Sequence, residues 1–134
     1  MSRRKARETA LQALFQIEVG HTAPDAAFDA CLERDPLSPK DRDFALKLVR
    51  GTLDHLICLD KKISGYCRNW DFSRISNVDK VLLRMASCEI CYSPETPPQV
   101  AINEAVLLAK KYGGEESPGF VNAVLDHFFK DQQS

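Results

Sequence analysis

The chain has 134 residues, enough for one domain with a real core, since about 150 residues bury roughly two-thirds of the surface their unfolded chain exposes. Hydrophobic residues make up 44% and charged residues 28%, ordinary for a soluble globular domain. A net charge of −1 excludes nucleic-acid binding by the whole surface and confines any electrostatic site to a local patch, and no uncharged apolar run approaches the ~20 residues of a membrane span.

The basic amino terminus does not read as a secretory signal, because Glu8, Thr9, Gln12, Gln16 and Glu18 interrupt any apolar core. The acidic residues also argue against an organellar presequence. Five cysteines, an odd number spread through helical patterns, read as reduced thiols in a cytosolic protein.

In chain order, Ser2 is a candidate N-cap, and Arg3 to Val19 predict a helix with an apolar stripe of Ala10, Leu11, Leu14, Phe15 and Ile17 or Val19. Its first turns carry Arg3, Arg4, Lys5 and Arg7 against Glu8. Cations at a helix amino terminus oppose the macrodipole, so helix stability does not explain them. Two readings stay open: a solvated, frayed terminus, or an arm that holds nucleic-acid phosphates, with Arg3 and Arg7 on one face straddling adjacent phosphates. Gly20 closes this helix and Pro24 opens a short second one through Leu32. Ser38 as N-cap and Pro39 at the first position start a third helix, expected to run through Ile57, with Gly51 marking close helix packing. A short fourth helix is expected over about Leu59 to Tyr66.

Residues 68–73 read as a junction, with Trp70 as its core plug. Ser76 or Asn77 caps a helix from Val78 to about Tyr92, whose apolar run is interrupted by Arg84. Pro97-Pro98 then precede Gln99 to Tyr112, apolar on nearly every side, which predicts a buried central post for the molecule. Glu104 interrupts it, and an ion pair between Arg84 and Glu104 is expected. Gly113-Gly114 stop the post, and Ser117-Pro118 open the last helix. The sum is an all-α fold of about seven helices in two small packed bundles: a single domain over 1–134, with an amino-terminal bundle over about 1–72 and a carboxy-terminal bundle over about 73–134.

Catalytic motifs are missing from the pattern. Cys88-Glu89-Ile90-Cys91 has C-x-x-C spacing, but no second pair completes a zinc set and no strand-to-helix junction supports thiol exchange, so buried thiols are the better reading. His55 and Cys58 lack a third partner. No catalytic residue, metal site or cofactor is expected.

Five segments carry a more specific signal: RRKARETALQALFQIE, LDKKISGY, VDKVLLRMASCEI, VAINEAVLLAKKYG and FVNAVLD. In this order, over nearly the whole chain, they resemble the NusB family of transcription antitermination factors. The resemblance implies an all-helical, non-catalytic, cytoplasmic protein. Its implied partners are single-stranded boxA RNA of ribosomal RNA operons, the small-subunit ribosomal protein NusE, and the RNA polymerase antitermination complex, with no membrane. It places RNA contacts on Arg3, Arg4, Lys5, Arg7, Tyr112, Phe120 and Asn122, and a partner-protein contact on Asp79. Bases would stack on aromatic rings while cations hold phosphates. Phe15, where relatives often carry Tyr, reads as structural. Gly119, where relatives often have a basic residue, and Ala123, where they have Gly, depart from the pattern, and Glu115 and Glu116 add negative charge beside it. A helical protein–protein adaptor without RNA binding is therefore the alternative function, and a thiol or metal protein using Cys88 and Cys91 a third.

Overall fold

Proline and glycine punctuate the fold. The computed structural model describes residues 3–67 and 72–132, and among them every regular element is helical: α1 (Arg3–Gly20), α2 (Pro24–Arg34), α3 (Pro39–Asp54), α4 (Leu56–Ser64), α5 (Asn77–Tyr92), α6 (Pro98–Tyr112) and α7 (Ser117–Gln132), with one 3₁₀ turn at Phe72–Arg74. Pro24, Pro39 and Pro98 sit in first turns, where a missing N–H costs nothing. Ser38 and Ser76 cap α3 and α5 through their hydroxyls, accepting from the amides of Asp41 at 3.3 Å and Asp79 at 3.2 Å. The expectations for Ser2 and Trp70, and most of the junction, lie outside the described residues.

The third helix ends earlier than its periodicity predicts. At His55 the backbone leaves helical geometry, with φ −112° and ψ 19°, while the ring Nδ1 lies 2.9 Å from the Gly51 carbonyl. A separate helix starts at Leu56, and Ile57 ends 85% exposed instead of in the core stripe.

The post is α5 rather than α6. Every residue from Val81 to Glu89 is buried, because α5 is enclosed by α1, α3, α4, α6 and α7. Helix α6 packs chiefly on α5 and α7, leaving Val100 and Leu107 at 42% and 40% exposure. Gly51 permits the close approach of α3 to α5: a Cβ there would stand 3.0 Å from the Cys88 sulfur.

Arg84 does not meet Glu104. It lies on the side of α5 turned to α4 and α1, where Nε and Nη2 donate to Asp60 at 2.6 and 2.8 Å and Nη1 donates to Glu18 at 2.8 Å. Two carboxylates thus satisfy a guanidinium that burial alone would destabilise, fastening three helices at one point.

Candidate nucleic-acid interface

The basic arm divides by direction. Arg7 points inward: it is 5% exposed, and its Nε and Nη2 reach the carboxylate of Glu89 at 2.9 and 2.5 Å, Glu89 being 1% exposed. It is a core residue joining α1 to α5. The expected pairing of Arg3 with Arg7 across adjacent phosphates is therefore not what the fold presents. Instead both guanidiniums lie over the ring of Phe44, at 4.3 Å for Arg3 and 5.1 Å for Arg7.

Arg3, Arg4 and Lys5 are exposed and line an open groove of about 600 Å³ with Glu8, Val100 and Glu104. Arg4 forks onto Glu104 with Nε and Nη2 both at 3.1 Å, and Lys5 Nζ lies 2.6 Å from Asp35. Arg4 and Lys5 are thus already paired with carboxylates, but those pairs face water, where ion pairs are weak and exchange readily for a phosphate.

Tyr112 joins this groove to the rest of the face. Its hydroxyl donates to Glu8 and accepts from Gln12 Nε2 at 3.0 Å, while Gln12 Oε1 accepts from Arg34 at 3.1 Å. Lys111 Nζ adds a 2.5 Å contact to Glu8. Burial opposes the Glu8 carboxylate, but the hydrogen bonds from Lys111 and Tyr112 outweigh it and hold its pKa below the ordinary 4.5. Burial, and then the bond to Glu8, raise the Tyr112 pKa, so the phenol keeps its proton. Side chains join α1 to α6 at two points, Arg4 meeting Glu104 and Glu8 meeting Lys111 and Tyr112. The eight residues from Glu104 to Tyr112 rise ~12 Å.

Beyond Tyr112, a hollow of about 330 Å³ is lined by Leu11, Phe15, Arg34 and Val78. The α6–α7 turn then builds a third cavity, of about 660 Å³, whose walls include Arg74, Ser76, Asp79, Glu116 and Phe120. Gly113 makes this turn possible, since a Cβ there would meet the Ser117 Cβ at 2.6 Å and the Ala109 carbonyl at 2.9 Å. The Ser117 hydroxyl accepts from the Gly114 amide at 3.0 Å. Phe120 is half-buried, Asn122 is exposed on α7, and a side chain at Gly119 would meet open space. Asp79 is 8% exposed, and its Oδ1 has no hydrogen-bond partner among the described residues. The arm and Phe120 thus line different cavities rather than two walls of one cleft.

The thiols offer no comparable chemistry. Burial pushes the Cys88 pKa up to about 11 and raises that of Cys91 as well, so both stay protonated and weakly nucleophilic. His55 stacks on Tyr92 with ring centroids 4.0 Å apart. Among the described residues no group of three His, Cys, Asp or Glu side chains suits a metal ion.

A sequence model of the NusB family matches residues 4–130. The chain belongs to the NusB family. The transcription antitermination protein NusB of Bacillus velezensis is 44% identical over 134 residues, the whole of both chains. The structure of T. maritima NusB superposes with a TM-score of 0.91 at 33% identity, over 98% of this chain and 92% of that one. A crystal structure of the antitermination factors NusB and NusE in complex with double-stranded RNA has a TM-score of 0.89 at 26% identity, with 96% of each chain covered. In this NusB-family chain the features that sequence reasoning missed are the carboxylates facing the arm, Glu104, Asp35 and Glu8, and the burial of Arg7. Glu89, a second charge beside Arg84 in the apolar run of α5, was the signal for the last of these.

Proposed function

We infer that this NusB-family chain is a non-catalytic, cytoplasmic antitermination factor that binds boxA RNA of ribosomal RNA operons together with the ribosomal protein NusE, within the antitermination complex of RNA polymerase. The observation that carries the reading is the groove of Arg3, Arg4 and Lys5: three outward cations on a chain of net charge −1, two of them held by displaceable carboxylates. Single-stranded RNA binding needs such a phosphate track together with aromatic faces for bases. Tyr112 and Phe120 are candidates for the faces and Asn122 for a polar contact, while Arg7 serves by holding α1 in place. Asp79 stands as the candidate partner contact, and its burial restricts it to a group that enters the third cavity.

The test is a titration of boxA RNA onto the full chain, alone and with NusE. Binding that tightens when NusE is added is the expected result, and no binding under either condition would refute the reading. A helical adaptor without RNA binding remains the second reading, favoured by the carboxylates on the arm and by the exposed Glu115 and Glu116 beside Phe120. It predicts NusE capture indifferent to RNA.

A further inference from the structure

We propose that Phe44 on α3 is a positioning residue for RNA binding: its ring is the platform that holds the Arg3 guanidinium in place while leaving its N–H edge for a phosphate. This rests on the RNA-binding reading above and names the residue that makes one cation of the arm ready in advance.

The three outward cations are held in two different ways. Arg4 forks onto Glu104 and Lys5 pairs with Asp35, so both are ordered and neutralised by the same contact. Arg3 is exposed and has no carboxylate partner among the described residues. Its guanidinium carbon stands instead over the Phe44 ring, 4.3 Å from the centroid. An aromatic face attracts a cation through its quadrupole, but it takes none of the N–H donors, which point outward in the guanidinium plane. A carboxylate orders an arginine and cancels its charge; a ring orders it and leaves both charge and donors. Arg3 is thus the cation of the three that is ordered without being neutralised.

The platform is itself fixed. Phe44 is 9% exposed, and α3 packs along α1. Arg7, one turn further along α1, borders the same ring at 5.1 Å, but its charge is taken up by Glu89 in the core. That pairing matters for Arg3, because an unpaired Arg7 four positions away would repel it. Ordering a long free side chain costs entropy at the moment of binding, and a side chain already seated in the free protein avoids much of that cost. A fork of parallel N–H donors is also the geometry that matches phosphate oxygens.

The test titrates boxA RNA onto the full chain with NusE present, by fluorescence anisotropy, below each variant's melting transition. Phe44→Leu keeps apolar bulk in the core and removes the ring, and should weaken binding about two- to fivefold, the worth of an exposed cation–π contact. Phe44→Tyr keeps the ring and should bind as the wild type does. Adding Phe44→Leu to Arg3→Ala should cost nothing further, since the platform then has nothing to hold. Arg3→Lys leaves the core untouched and keeps the charge but has no fork, so it should weaken binding without changing the slope of log affinity against log salt. Losses from Phe44→Leu and Arg3→Ala that simply multiply would overturn the proposal and assign Phe44 to core packing alone. Phe44→Tyr as weak as Phe44→Leu, or Arg3→Lys as tight as wild type, would overturn it too. Each of these leaves RNA binding intact, whereas failure of the wild-type chain to bind boxA RNA, with or without NusE, would refute the RNA-binding reading itself.

Discussion

At the scale of single residues, what distinguishes the basic arm is the company its cations keep. Arg4 is mostly exposed, with 69% of its side-chain surface open, yet Glu104 grips it in a two-bond fork; Glu104 is far less exposed, at 13%. The free chain therefore presents a partly neutralised arm, and RNA must displace carboxylates to reach it. Glu104→Gln should remove that competition and tighten boxA binding a few-fold, most visibly at low salt, where surface charges count most. Unchanged or weaker affinity would place the Arg4–Glu104 pair outside the RNA path. Glu8 gives a separate test through pH. Its folded pKa lies below the unfolded value near 4.5, so the stability it contributes is fully present above 4.5 and is lost as pH falls through the lower folded value. Thermal melts of Glu8→Gln and wild type should therefore differ at neutral pH and converge toward acid. A gap that persists unchanged in acid would mean Glu8 acts through packing rather than charge.

At the scale of helices, α5 organises the molecule by burying charge as well as apolar surface. Its Glu89 takes Arg7 from α1, and its Arg84 takes Asp60 from α4 and Glu18 from α1. Removing one member of a buried pair strands the other. Glu89→Ala should cost about 3–5 kcal/mol in urea unfolding, whereas Arg7→Met with Glu89→Leu should recover most of that loss. A double variant no more stable than the single one would contradict the account. Element boundaries were largely legible in the sequence because they depend on local chemistry: Pro39 after Ser38, Ser76 before Asn77, Gly113 after Tyr112. The identity of the post was not. Val100 to Ala109 look buried from composition, but burial depends on how many neighbours a helix acquires, and α6 leaves one face to solvent. Nor could the sequence assign the partner of Arg84 or reveal that Arg4 meets a carboxylate 100 positions away, because such pairings exist only once the helices have packed.

At the scale of the whole molecule, the fold sets three separate stations: a cationic groove between α1 and α6, the hollow beside Tyr112 and Phe15, and the cavity of Asp79 and Phe120 where the α6–α7 turn meets the start of α5. The motif-bearing residues Arg3, Arg4, Lys5, Arg7, Tyr112, Phe120 and Asn122 were legible as candidates, but the burial of Arg7 against Glu89 was not, because charge alone does not say which way a side chain points. A near-neutral protein with one local track should bind RNA with a modest, countable salt dependence. The most direct test is the slope of log affinity against log salt for boxA RNA, measured with NusE present, for wild type and for Arg4→Ala. Each phosphate contact to a single strand contributes about 0.7 to that slope. Arg4→Ala should weaken binding and flatten the slope by about that amount, whereas an identical slope in the two proteins would contradict a phosphate track on the arm.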